Sequence, residues 1–355
     1  MIKTLKINRF KLFESLRIDN FSQITLIGGK NNVGKTSLLE SIFTFYDRGN
    51  PEVTFRQFAW RGVKTVALTS EAMWAPIFKD FDMSMPIDIE VNNTKKRERL
   101  RIRLNSKYQK KLQVRKSFTP GAPKQISTDQ LASPIVALDF VYYVGDKEKG
   151  LAHILLDQGG LGIEIENLAG SKTAVIFPSC RDKNPNEDAE RFGKIDIEGR
   201  LNELTELIKI VEPRLISLSS IAQINYSLIH GDIGLSRKIP IPYMGEGISK
   251  LLSYILAIMT TENGIVLIDE IENGLHYSVL PEIWKAIFKA AKISNCQVVI
   301  TTHSYEAIKA MQEAMRGNES SFSYIRLDRV GNEIVPQYYN PDMLISAFES
   351  NWEVR

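Results

Sequence analysis

Ile24-Thr-Leu-Ile27-Gly-Gly29-Lys-Asn31-Asn32-Val-Gly34-Lys35-Thr36-Ser37 runs from an apolar strand through a glycine-bearing turn into a helix. Residues 29–36 fit the phosphate-loop pattern GxxxxGK[ST]. Phosphate chemistry needs glycine where backbone N–H groups must turn inward around an anion with no side chain in the way. Lys35 is placed to reach the β/γ oxygens, and the Thr36 hydroxyl to ligate Mg²⁺. Leu38, Leu39, Ile42, Phe43 and Tyr46 then recur at helical spacing, and Arg48-Gly-Asn-Pro51 stops the helix.

Two later stretches supply what such a loop requires. Gly264-Ile-Val-Leu-Ile-Asp269-Glu270 is an apolar strand ending in two carboxylates, and ligands bind at that end of a parallel strand. Asp269 is the expected metal ligand with Thr36, and Glu270 the residue that polarises the attacking water. Val298-Val-Ile-Thr-Thr-His303-Ser304 brings a histidine to the end of another apolar strand, as a polar sensor beside the γ-phosphate. Lys35, Glu270 and His303 are the catalytic candidates. Between helix and acids, Gly245-Glu246-Gly247 opens a helix, so its N-terminus is receptive to an anion.

Around these motifs the chain has ordinary globular composition. Of its 355 residues, 43% are hydrophobic and 25% charged, which excludes a disordered or fibrous protein. The longest apolar run, Leu251 to Met259, is about half of the roughly 18 residues a membrane span needs. The first residues alternate apolar with basic and lack a signal peptide's apolar core. Two cysteines, Cys180 and Cys296, build no disulfide framework, so a reducing cytoplasm is the expected location. Four scattered histidines and no CxxC pair argue against structural zinc.

The last third alternates strand and helix, which predicts a mainly parallel sheet with helices packed on it. Residues 51–172 instead show short alternating runs, expected as an inserted β-rich lobe. Residues 1–50 and 173–355 form the main domain, with a helical part at about 186–220 that includes a helix from Ile197 to Ile210. A strand is expected at Thr173 to Phe177. The insertion holds a basic window, 95–116, with eleven Lys/Arg and one acid, Glu98, on a chain whose net charge is only +3. Arg97, Arg99, Arg101 and Arg103 fall on one strand face. They would track nucleic-acid phosphates, dock an acidic protein partner, or form a solvated face. The one Asp-x-Asp, Asp80-Phe-Asp82, lies in the insertion and reads as chance.

Together, residues 29–36, Gly245 to Gly247, Asp269-Glu270 and His303 resemble the head domain of ABC-type ATPases of the SMC/RecF kind. More closely, and in Asp269-Glu-Ile-Glu-Asn-Gly-Leu-His276 especially, the chain resembles the OLD-like ATPases of bacterial anti-phage and retron-associated systems. The resemblance implies an α/β P-loop NTPase fold: an ABC-type head with N-terminal antiparallel strands, a mainly parallel core sheet and an inserted β-rich/helical lobe. It implies ATP and Mg²⁺ as ligands and a head-to-head homodimer or higher even oligomer. Gly245, Glu246 and Gly247 would touch the other protomer's ATP, and Asn273 to His276 would form the loop communicating between the two active sites.

Two departures shape the functional expectation. Where relatives carry a glutamine loop, this chain has Phe177-Pro-Ser-Cys-Arg181, so Arg181 is expected on the γ-phosphate side. Too few residues follow His303 for the TOPRIM nuclease domain of OLD nucleases, so no nuclease activity is expected in this chain. The leading expectation is a Mg-dependent ATPase that dimerises on ATP and gates a separately encoded effector, a nuclease or toxin, in anti-phage defence. Alternatives are a RecF-like repair ATPase that binds DNA directly, and an ATP-binding scaffold with little turnover.

Overall fold

Apolar alternation at the N-terminus makes β1 (Thr4–Phe10) and β2 (Phe13–Ile18), and the run before the phosphate loop makes β3 (Ile24–Gly28) ahead of α1 (Lys35–Tyr46). Two short helices follow, α2 (Val53–Ala59) and α3 (Ser70–Met73), then β4 (Ile87–Asn92), β5 (Arg97–Tyr108), β6 (Ile135–Val144), β7 (Lys147–Asp157), β8 (Gly160–Ile165) and β9 (Val175–Ile176). Next come α4 (Pro185–Ile197), α5 (Leu201–Ile208), β10 (Ser217–Ala222), β11 (Ser227–Asp232) and β12 (Ile239–Pro240). The last third comprises α6 (Glu246–Met259), β13 (Ile265–Ile268), α7 (Leu280–Ile293), β14 (Gln297–Thr301), α8 (Tyr305–Ala314), β15 (Phe322–Val330), β16 (Glu333–Tyr339) and α9 (Pro341–Glu349). This computed structural model describes every residue except 51–52, 64, 95, 109–134, 158–159, 179–184, 223–225, 315 and 351.

The core sheet runs β16-β15-β3-β14-β13-β9, parallel throughout except for β16 at its edge. Its central strands are apolar at nearly every position because both faces are covered. Leu26, Val266, Ile268, Val298 and Ile300 pack with Leu251, Ile255, Ile283, Trp284 and Ile308 from α6, α7 and α8. Ile27, Ile265, Leu267 and Val299 point the other way, into a cluster with Leu38, Leu39 and Ile42 of α1 and the apolar face of a second sheet. The molecule is thus the expected α/β P-loop fold, with α1 held between two sheets.

That second sheet is antiparallel, in order β2-β1-β4-β5-β6-β7-β8. The inserted stretch is β-rich as expected, yet it extends the N-terminal strands rather than forming a sheet of its own. β4 pairs along β1, with Leu5 opposite Val91 and Ile7 opposite Ile89. Pairing covers what would otherwise be an open strand edge and buries both apolar sets on one side.

On the opposite side stand the four arginines, as expected, but they face a row of acids. Arg97 bonds Glu90 at 2.8 Å, Arg101 is bidentate to Asp88 at 2.9 and 2.8 Å, and Arg103 lies 3.3 Å from Asp139. Arg99 sits 3.9 Å from Asp88 and stacks 4.4 Å from the Tyr143 ring centroid. Glu98, the acid within the basic window, points to the buried side, where Tyr142 donates to it. The members of that window at 95 and 109–116 lie outside the described residues. Asp82 of the Asp-x-Asp accepts from Arg9 at 2.7 Å, and Asp80 pairs with Lys79.

Two local expectations need correction. The helix expected at 197–210 is broken at Gly199, whose φ is +71°, into α4 and α5, and α4 takes in the polar stretch before it, within the helical part expected at about 186–220. Only Phe192 and Ile195 of α4 are buried, so it has little apolar periodicity, and Glu187–Arg191 and Glu190–Lys194 pairs lie along its surface. The strand expected at 173–177 is the two-residue β9, which among the described residues pairs with β13 alone, at the sheet edge.

Trp284 of α7 is fully buried, and its Nε1 donates to the Ala307 carbonyl of α8 at 3.1 Å. Trp284→Ala should lower unfolding stability by about 3–5 kcal/mol, with Trp284→Phe losing less, as measured by urea titration followed by circular dichroism.

Candidate active site

The phosphate loop is shaped by steric need. Gly29 has φ +134°, and a Cβ there would lie 2.5 Å from the Leu327 carbonyl oxygen of β15. Gly34, with φ +92°, precedes α1 and abuts Leu12 and Phe13 so closely that any side chain would collide. Asn31 and Asn32 are exposed at the loop tip, Arg329 of β15 donates to the Asn32 carbonyl at 3.0 Å, and Ser37 is buried in the first turn of α1. Lys35 folds back over the loop and donates to the carbonyls of Gly29 and Lys30 at 2.7 and 2.9 Å. Burial pulls its ammonium below the usual lysine range, against the opposing pull of Glu270, Glu272 and Asp269.

Strand order brings the acids to this loop. β14 pairs with β3 on one side and β13 on the other, so the C-terminal ends of all three meet at one sheet edge. The Thr36 hydroxyl donates to Asp269 Oδ2 at 2.8 Å. Thr301, ending β14, donates its hydroxyl to the other Asp269 oxygen and accepts the Glu270 N–H at 2.8 Å. Burial raises the Asp269 carboxyl above the usual range, while the Thr301 and Thr36 hydrogen bonds work in the opposite direction. Glu270 takes a left-handed φ of +49°, a strained conformation for this residue type, costing about 1–3 kcal/mol. Its amide is tied to Thr301 and its carbonyl accepts from the Asn273 N–H at 2.9 Å, which leaves the carboxylate 40% exposed and free to meet a ligand.

His303 completes this edge through a residue that the sequence reading did not single out. Its Nδ1 lies 2.9 Å from Glu272 Oε1 and 3.9 Å from Glu270 Oε1. Glu272 also accepts the His303 backbone N–H at 2.7 Å and the Thr302 hydroxyl at 2.8 Å. Thr301, Thr302 and Glu272 therefore hold the three chemical groups in place. The signal for Glu272 was its position two residues beyond Glu270, but a polar loop gives that acid no pattern of its own.

Gly245, Glu246 and Gly247 open α6, where Gly245 has φ +116° and, among the described residues, no atom lies within 4 Å of where its Cβ would be. Glu246 lies against Gly274 and 3.3 Å from Lys250, whose Nζ donates to the Asn273 carbonyl. This second cradle is thus attached to the loop that follows Glu270. Arg181 lies outside the described residues; Phe177, four residues before it, packs 4.9 Å from Trp60.

Thr36 and Asp269 present hard oxygen donors within hydrogen-bonding distance of each other, which suits Mg²⁺ shared with nucleotide phosphates. Among the described residues no group of three His, Cys, Asp or Glu side chains has metal-binding geometry, so a divalent ion here would draw on phosphate oxygens as well.

Residues 1–149 match the family model "AAA ATPase domain", and residues 163–309 match "AAA domain, putative AbiEii toxin, Type IV TA system". A Helicobacter pylori protein described as an ATP/GTP phosphatase is 24% identical over 99% of this chain and 98% of its own length. An uncharacterised Methanocaldococcus jannaschii protein is 37% identical over 32% of this chain and 90% of its own length. A solved SMC head, bound to the C-terminal winged-helix domain of ScpA, superposes with a TM-score of 0.52 over 97% of this chain and 99% of that one. At 12% identity this last likeness is one of fold. The two halves of the chain are thus similar to AAA-type ATPase domains, and the fold is that of an ABC/SMC-like head.

Proposed function

We propose that this chain is a Mg²⁺-dependent ATPase that dimerises head to head on ATP and gates a separately encoded effector, a nuclease or toxin, in anti-phage defence. The observation that carries the hydrolytic part is the 2.8 Å contact between Thr36 and Asp269, which joins the phosphate loop to the acid-bearing strand. Backbone N–H groups of residues 29–36 wrap the phosphates, and Lys35 exchanges its two carbonyl partners for phosphate oxygens. Held between Thr36 and Asp269, Mg²⁺ would supply neutralisation of phosphate charge. Glu270 orients the attacking water and accepts its proton, and His303, steadied by Glu272, faces the γ-phosphate.

Dimerisation draws support from the second cradle. The N-terminus of α6 is open at Gly245, and Tyr243 and Tyr277 beside it are 82% and 64% exposed. Such a surface suits another protomer's nucleotide, received by Gly245, Glu246 and Gly247. The effector part takes its support from the toxin–antitoxin wording of the family matched by residues 163–309. Direct DNA binding through Arg97, Arg99, Arg101 and Arg103 loses its motive, because carboxylates on neighbouring strands meet all four.

Lys35→Ala should abolish Mg-ATP binding in calorimetric titration. Glu270→Gln should retain binding and lower kcat by about 10²–10⁴-fold; a turnover unchanged by that substitution would favour the ATP-binding scaffold instead. In light scattering, Glu270→Gln with Mg-ATP should double in mass. Adding Gly247→Asp, which sets a carboxylate in the second cradle, should keep it monomeric while leaving nucleotide binding intact.

A further inference from the structure

Glu40 lies four residues after Thr36 in α1, so the two side chains share one helix face, one turn apart. Its carboxylate is 2% exposed and is held from two directions. Lys11, in the tight turn joining β1 and β2, donates from one side. Arg61, just beyond α2, places two guanidinium nitrogens on the same carboxylate, Nη2 at 3.1 Å, and a further bond on the Gln57 carbonyl at 3.0 Å.

Both holders are themselves anchored, Lys11 beside the phosphate loop and Arg61 beside a residue packed on α1. Lys11 has a left-handed φ of +53° and donates its backbone N–H to Ile77 at 2.9 Å, and its neighbours Leu12 and Phe13 press on Gly34. Trp60, adjacent to Arg61, meets Phe43 of α1 edge-on at 5.1 Å and Phe177 at 4.9 Å. Burial pulls the Lys11 ammonium down to about 8, with Glu40 pulling it back up. The charge of Glu40 also reaches Asp269, adding to the burial that raises that carboxyl.

A buried ion cluster is weak evidence of stabilisation, since apolar residues of the same volume commonly do as well. Its geometry has a clearer consequence. Ion pairs on Glu40 from two sides resist rotation of α1 about its axis, the motion that would swing the Thr36 hydroxyl off Asp269.

We propose that Glu40, clamped by Lys11 and Arg61, is a positioning residue that sets the rotation of α1 and so tunes divalent-cation-dependent nucleotide binding at Thr36 and Asp269. This rests on the nucleotide-site reading above. ATP is titrated calorimetrically into wild type, Glu40→Gln, Arg61→Ala and Arg61→Lys over a Mg²⁺ series and in EDTA, with melting temperatures alongside. Glu40→Gln and Arg61→Ala should need about tenfold more Mg²⁺ for half-maximal ATP affinity, while affinity in EDTA stays within about twofold and Arg61→Lys falls within about threefold of wild type. Should Glu40→Gln fail to fold, Lys11→Met removes one arm of the clamp and should raise the Mg²⁺ requirement in the same direction. An unchanged Mg²⁺ requirement in the folded variants, with only the melting temperature lowered, overturns the positioning role and leaves the nucleotide site standing. Wild type that takes up no Mg-ATP overturns the nucleotide site and this proposal together.

Discussion

The parallel insertion of β14 between β3 and β13 is the constraint from which the site follows. In a parallel sheet every strand finishes at the same edge, so the order of three strands decides which loops meet. With β14 in the middle, its terminal threonine reaches the acid of one neighbour, while the loop after the other neighbour supplies Thr36. Two side chains separated by 233 positions in the chain thereby come within 2.8 Å. Helices α6, α7 and α8 on one face and α1 on the other exclude water from the strands, and only the ends remain available for chemistry.

Acids crowd this edge, and their separate partners distinguish them. Asp269 is held by two threonine hydroxyls, as suits a buried ligand for a hard cation. Glu272 is occupied by a backbone N–H, a threonine and His303. Glu40 is closed off by Lys11 and Arg61. Glu270 keeps an exposed carboxylate on a strained backbone, the arrangement expected of a group that must meet substrate. Neighbouring carboxylates can thus serve different ends, because each faces a different set of donors.

The arginines of β5 show how charge counted along a chain differs from charge on a surface. A window of sequence pairs each residue with its covalent neighbours, and by that measure 95–116 is strongly basic. A sheet pairs each residue with the strands beside it, and Asp88, Glu90 and Asp139 come from β4 and β6. Glu98, counted within the window, turns to the opposite face because successive side chains of a strand alternate.

The sequence alone determined the phosphate loop, the strand before it, the helix after it and the alternation of strand and helix beyond Gly245. Those features rest on local rules: glycine where a side chain would collide, apolar period for helix and strand, and acids after a buried run. Short-range pattern also located Asp269, Glu270 and His303. It missed the bounds of α4, whose buried residues are too few to show a period, and it overextended β9, which among the described residues pairs on one side. Tertiary structure alone decided that the insertion joins the N-terminal sheet, that Glu272 holds His303, and that Lys11 and Arg61 close on Glu40. Each of these depends on which strands lie side by side and which helix face turns inward, and contacts between distant segments leave no periodic trace in the segments themselves.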